Sequence, residues 1–357
     1  MMCPGRGTIL GIHSRKSTMH GNATFSHTDS AILSVSAVHA PEIVTSNEFD
    51  QQLATTYERL GTQPGLLEGL AGIRERRWWP ESYAFTDAAT AAGSAALAES
   101  GVEPGDIGLL IDTSVSRDRL EPSAAVTVHQ NLDLPSDCIN FDLANACLGF
   151  MNAIQLAGTM IDAGQVEYAL VVDGEGSRYT QERTLERLRG PDVTVDDLFA
   201  EFATLTLGSG AAAMVLGRHS EHPRSHRVVG GIARADTRSH DLCIGTLDRM
   251  HTDTKGLLDA GLDLAKRAWV DVEERGWLDM DRYIIHQVSA VHTSLMCSTL
   301  GIDPAKAPMT FPTLGNVGPA SIPITLAGEQ DALEPGDRVL CLGIGSGINA
   351  SATELVW

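Results

Sequence analysis

The sequence has six cysteines in 357 residues and no C-x-x-C pair: Cys3, Cys138, Cys147, Cys243, Cys297 and Cys341 are scattered. Zinc sites need paired spacings, and disulfide frameworks belong to short secreted chains, so neither fits. Free thiols in a reducing cytoplasm are the expectation. Long apolar runs are also missing. Stretches such as Ala211 to Leu216 fall far short of the ~20 residues a membrane-spanning helix needs. Basic residues are few, 26 Lys and Arg against 46 Asp and Glu, for a formal net charge of −20. That excludes nucleic-acid binding through a diffuse basic surface and argues against an acidic carrier protein as the main partner. What is present is 43% hydrophobic and 20% charged, the balance of a soluble globular chain with a sizeable core.

Residues 1–30 show no periodic apolar pattern and no apolar stretch followed by small residues. They read as a flexible extension outside the fold, not a signal peptide. From Ala31 onward apolar strands alternate with helical patterns, which indicates an α/β protein. The pattern occurs twice. Ile107 to Asp112 is an apolar strand followed by a helix, a small-residue segment at Ala144 to Phe150, an uncharged helix and a strand from Tyr168. Tyr283 to His286 opens the same series, with a helix from Ala290 to Leu300, small residues at Gly315 to Ser321, another helix and a strand from Arg338. The expectation is an internal duplication, with one half at 31–220 and a second at 221–357. His219, His222 and His226 sit in the polar connector. Pro223 between them and the lack of an acidic or cysteine partner at ligand spacing argue against a metal site.

The duplication places three reactive residue types together. Cys147 is expected to open the helix Leu148 to Ala163, where Phe150, Ile154, Ala157 and Ile161 recur at helical spacing and Gly164 gives a stop. Asn316 occupies the equivalent place in the second half, and His286 ends that half's first strand. Catalytic groups of α/β sheets collect beyond the carboxyl ends of strands. A thiol at a helix N-terminus is biased toward thiolate, the nucleophilic form, and thioesters are its natural substrates. Small neighbours and Gly149 would let a substrate approach. Gly343, Gly345 and Gly347 are spaced like a nucleotide loop, but no helix and acidic residue can follow before Trp357, so a dinucleotide site is excluded.

The stretch Phe141-Asp142-Leu143-Ala144-Asn145-Ala146-Cys147-Leu148-Gly149-Phe150 resembles the nucleophile motif of β-ketoacyl-ACP synthase III enzymes and their thiolase-superfamily relatives. His286-Gln287-Val288-Ser289, Gly315-Asn316-Val317-Gly318-Pro319-Ala320-Ser321 and Gly343-Ile344-Gly345-Ser346-Gly347 match that family's remaining motifs in order. The resemblance implies a thiolase fold, two α/β halves packed into a layered α-β-α-β-α core. A narrower likeness is to the OleA-type acyl-CoA condensing enzymes of bacterial olefin biosynthesis. It rests on Asp112-Thr113-Ser114-Val115-Ser116-Arg117-Asp118, Leu120-Glu121-Pro122-Ser123, Tyr168 to Glu175, Leu247-Asp248-Arg249-Met250 and the final Val356-Trp357.

This likeness implies that Cys147 carries an acyl group, that His286 and Asn316 hold an enolate, and that Glu121 reaches across a dimer interface as the base. Backbone N–H groups at Cys147 and at Gly345 or Ser346 would form the oxyanion hole. Arg74, Arg77 and Trp78 would lie near the pantetheine entrance. The implied reaction joins two acyl-CoA molecules without decarboxylation, with no cofactor beyond the acyl-CoA substrate. The expected assembly is a homodimer, or a heterodimer with a homologous subunit, feeding hydrocarbon or β-lactone pathway enzymes. Three alternatives stand beside it. One is a decarboxylating synthase using a malonyl or alkylmalonyl thioester. Another is a CoA thiolase with Cys341 as second catalytic cysteine. The third is a non-catalytic subunit that lends Glu121 to another chain.

Overall fold

The computed structural model describes residues 24–246, 248–270 and 273–357. Cys3, most of the 1–30 extension, and Leu247 of the quoted Leu247 to Met250 stretch lie outside the described residues.

Ten strands form one sheet, nine of them in two similar series and the tenth, Thr24–Ser26, at the side. The first runs Ile139–Asp142, Ile107–Asp112, Tyr168–Glu175, Gly210–Arg218, Ser30–His39. The second runs Arg282–Ile285, Arg338–Gly345, Asn349–Val356, His226–Ala235. In each, a parallel pair is followed by two antiparallel pairings. The series meet where Ala31 pairs with Arg227 and Ile32 with His226. This is the expected duplication, with the strand Ile139–Asp142 present in the first series alone.

Side-chain alternation explains the layering. In Gly210–Arg218, Ala211, Ala213 and Val215 face one hydrophobic cluster while Ala212, Met214 and Leu216 face another, as a strand buried on each side requires. The first cluster packs the helices Phe85–Ser100 and Ala124–Asn131 on the outside. The second holds the helices Gly149–Asp162 and Ser321–Glu329 between strands of the two halves. Helices Thr254–Val270 and Ala290–Leu300 cover the far face of the second half. The order is helices, first strand series, helices, second strand series, helices. The helix Gly149–Asp162 carries no charge before Asp162 because it sits in the middle layer, where an unpaired charge would be costly.

The boundary placed at residue 30 needs correction. Thr24–Ser26 is a strand paired with His226–Ala235, and the backbone N–H groups of Thr28, Asp29 and Ser30 donate to the Asp162 carboxylate at 2.7, 3.0 and 2.9 Å. This polar segment is held through its backbone, which is why it shows no apolar period. The connector histidines serve as ordinary structure. His222 Nε2 meets the Tyr168 hydroxyl at 3.0 Å, His219 Nδ1 meets Ser225 Oγ at 3.1 Å, and His226 stacks on Trp357 at 3.6 Å.

Candidate active site

The carboxyl ends of the parallel strands open onto one cavity of about 1850 Å³. Cys147, His286, Asn316 and Ser346 line it together, and Phe199, Phe202, Met250, Leu257 and Leu258 supply apolar wall. Three of the expected residues thus converge, from segments far apart in sequence.

After strand Ile139–Asp142 the chain turns sharply, with Ala146 at φ +45°, a left-handed conformation seldom adopted by a residue with a side chain. Such strain is retained where a side chain must be aimed. Helix Gly149–Asp162 starts one residue later than expected, with Leu148 as its N-cap, so Cys147 stands ahead of the helix instead of opening it. Gly149 also matters for a different reason than substrate approach. A Cβ there would lie 3.1 Å from the carbonyl oxygens of Leu143 and Thr113, so glycine lets the helix dock. Asn145 Nδ2 donates to Asn152 Oδ1 at 2.6 Å and ties the turn to the helix.

The resting thiol is not biased to thiolate, contrary to expectation. Burial, with Cys243 and Glu175 nearby, pushes Cys147 up to about 12, although the backbone N–H groups of Cys147 and Ser346 pull the other way. Those two N–H groups are directed at the sulfur. Gly345 contributes proximity: a Cβ there would sit 3.6 Å from the Cys147 nitrogen.

His286 follows strand Arg282–Ile285, and its N–H donates to Leu342 O at 2.9 Å, which fixes it against the glycine-rich strand. A side chain at Gly343 would come within 2.9 Å of His286 Cβ, so the two segments can approach only through glycine. Among the described residues neither ring nitrogen of His286 has a hydrogen-bond partner. Burial, aided by neighbouring His292, lowers its pKa to about 3, so the imidazole is neutral. An unpartnered neutral imidazole facing a cavity can donate to a substrate carbonyl or take a thiol proton. Asn316 is held through its backbone, its N–H donating to Thr206 O and its carbonyl accepting from Gly208 N, each at 2.9 Å. Its Oδ1 accepts from Gly318 N at 3.0 Å, which leaves the Nδ2 donor for a ligand.

Other expected residues lie elsewhere. Glu121 is exposed on the loop after strand Ile107–Asp112 and does not line its own chain's cavity. Arg74, Arg77 and Trp78 are not cavity residues. Arg74 is exposed, Arg77 faces Glu75 at 3.6 Å, and the buried Trp78 donates from Nε1 to Gln181 Oε1 at 2.6 Å. Their neighbours Leu70, Ala71 and Trp79 line the cavity instead. Cys341 is buried in strand Arg338–Gly345 within the middle layer, away from the cavity, which removes it as a second catalytic cysteine.

The sequence reading missed Glu175, Cys243 and His292, all of which line the cavity. Glu175 closes strand Tyr168–Glu175, which also carries Asp173, so nothing local marks it as a cavity residue. Burial raises it to about 7, against the donors Ser116 and Val115, with Asp112 adding to the rise.

A half-buried thiol beneath two N–H donors, with a neutral imidazole and an amide donor from the other half of a duplicated fold, defines a thiolase-fold condensing enzyme. Family models for 3-oxoacyl-[acyl-carrier-protein] synthase III match residues 141–188 and, for its C-terminal part, residues 273–357. The chain is 46% identical to the acyl-CoA:acyl-CoA alkyltransferase of Xanthomonas campestris pv. campestris over 92% of its own length and 98% of that protein's. It is 35% identical to the enzyme of that name from Shewanella oneidensis, over 89% and 96%. A crystal structure of Xanthomonas campestris OleA, a cysteine-to-serine variant with bound lauric acid and lauroyl-CoA, superposes with TM-score 0.91 at 45% identity, covering 93% of this chain and 100% of that one. Further structures of that protein carry replacements of a histidine or a glutamate. The chain belongs to the acyl-CoA:acyl-CoA alkyltransferase family.

Proposed function

We propose that the protein joins two fatty acyl-CoA molecules head to head into a 2-alkyl-3-ketoacyl product by a non-decarboxylative Claisen condensation. Cys147 attacks the first thioester, its proton passes to a ring nitrogen of His286, and CoA leaves as the thiol after regaining that proton. The N–H groups of Cys147 and Ser346 hold the tetrahedral oxyanion, a contribution of roughly 3–4 kcal/mol per donor in comparable sites. The second acyl-CoA then places its carbonyl oxygen between His286 and Asn316 Nδ2. The partner subunit's Glu121 removes the α-proton, and the enolate attacks the acyl-Cys147 carbonyl. The new carbon–carbon bond forms as the sulfur of Cys147 departs, and the proton taken by the base returns to it.

The observation that carries this reading is the unpartnered, neutral His286 beside the free amide of Asn316, facing Cys147 in a cavity well above the ~300–1,000 Å³ of ordinary ligand pockets. Two long chains need such room. The exposed position of Glu121 suits a residue that completes another subunit's site, so the reading includes a dimer of this chain or one with a homologue. Among the described residues no helix is long and apolar enough to cross a membrane. We place the enzyme in the cytoplasm, where its free thiols stay reduced, and its product would pass to hydrocarbon or β-lactone pathway enzymes.

The decisive experiment is mass spectrometry of products from a single acyl-CoA, with and without malonyl-CoA. A product containing both acyl chains, formed without malonyl-CoA, supports the reading. Condensation that depends on malonyl-CoA establishes the decarboxylating alternative.

A further inference from the structure

The segment that carries Glu121 is fastened to the fold by carboxylates. Asp112 Oδ1 accepts from Ser114 N at 2.8 Å, and Thr113 Oγ1 donates to Asp173 Oδ2 at 2.6 Å. Asp142 accepts from the N–H groups of Ala124 and Ala125 at 3.0 and 2.9 Å, beyond Glu121. A further carboxylate, which lines the cavity, is Glu175. It accepts from Val115 N at 2.5 Å, from Ser116 N at 3.2 Å and from Ser116 Oγ at 2.6 Å, while Ser116 Oγ accepts from Gly176 N at 3.1 Å. The same carboxyl lies close to the Asn316 loop, where a Cβ on Gly318 would sit 3.4 Å from it. All its acceptor capacity is turned toward the loop, so it is poorly placed to act on substrate itself.

We infer that Glu175 is a positioning residue that sets where the 115–121 loop leaves the subunit, and thereby where Glu121 arrives in the partner's site. This deepens the condensation proposed above and rests on it. A glutamine at 175 keeps the volume but puts an N–H₂ where one acceptor oxygen stood, so it must turn a donor toward the donors of Val115 or Ser116. The loop then loses its register, and a displacement of about 1 Å in a catalytic group can lower a rate by ~10².

The test uses mixed dimers. Glu175→Gln alone is expected to lower condensation about 10²-fold, while the acyl-Cys147 adduct still accumulates by intact mass. Co-expressed with Cys147→Ser and purified as the mixed dimer, Glu175→Gln should regain condensation. One site then combines the thiol of the Glu175→Gln subunit with a Glu121 whose loop is correctly held in the other. A role confined to the residue's own site predicts a dead mixed dimer, and that result overturns the inference. Ser116→Ala, which removes the hydroxyl on the same carboxylate without adding a donor to the core, runs in parallel. It must show the same rescue even if Glu175→Gln does not yield folded dimer, and failure of Ser116→Ala to lower condensation also overturns the inference. A Glu121→Gln with Cys147→Ser control separates the layers. If that pair fails to complement, the cross-subunit reading falls and the inference with it. If it complements while the position-175 and position-116 pairs do not, the inference alone is wrong.

Discussion

The two halves of the sheet use the same three loop positions for different chemistry. After the first strand of each half the chain delivers either the loop bearing Glu121 or His286. Ahead of the middle-layer helix it delivers either Cys147 or Asn316. After the second parallel strand it delivers either Glu175 or the Gly345-Ser346 backbone. The first half therefore supplies the thiol and the carboxylates. The second supplies neutral donors that hold charge. In the mechanism proposed above, one duplicated scaffold separates bond-making from charge stabilisation.

The sharpest break in this division is at Cys147. Cys147→Ser should reduce condensation to background and abolish the acyl adduct seen by intact mass, because no other cavity thiol stands beneath the N–H groups of Cys147 and Ser346. Persistence of the adduct would move the nucleophile to Cys243. Glu121→Gln should lower condensation by ~10²–10⁴ while the adduct still forms, with loss of solvent deuterium exchange into the α-carbon of the second thioester. In the second half, His286→Ala or Asn316→Ala should slow condensation by ~10²–10³. Acylation should suffer less in Asn316→Ala than in His286→Ala, measured as single-turnover CoA release.

A pH profile probes the halves separately. His286 sits near 3 and stays neutral in the working range, whereas in the first half Asp112 sits near 6 and Glu175 near 7. Protonation of Glu175 removes acceptors, so condensation should fall as pH drops below about 7. The groups facing it are Asp112, Asp173 and Cys147, with Arg117 and Arg178 along the cavity rim. The limb should survive in His286→Asn and vanish in Glu175→Gln. The smallest effect concerns the corrected aromatic. Trp78→Phe should lower stability by about 1–3 kcal/mol by stranding the Gln181 carbonyl, with KM for acyl-CoA unchanged. A raised KM at unchanged stability would restore Trp78 to the CoA entrance.

Much of this was legible in the chain itself. Strand Ile107–Asp112 and helix Ala290–Leu300 follow the apolar pattern, and the convergence of Cys147, His286 and Asn316 follows from the repeat. The aromatic and arginine assignments failed for a physical reason. In strand Glu75–Trp78 alternate residues face opposite ways, so a single position decides between core and cavity. Arg76 and Trp78 turn inward, and Trp79, just past the strand, reaches the cavity. Glu175 escaped notice because a carboxylate at a strand end reads as a solvated terminus. Only the tertiary fold shows it buried under Ser116.

The Asp162 clamp on residues 28–30 has a mechanical consequence. Asp162 is the last residue of the helix whose other end follows Cys147, and 14 residues at 1.5 Å each separate the two ends by about 21 Å. The helix behaves as a stiff rod, moored at one end and aiming a sulfur atom with the other. Trimming the protein at residue 30 would cut the mooring line, and the rod could slide along its axis. The thiol would then drift from its oxyanion pocket although nothing near the cavity had been altered.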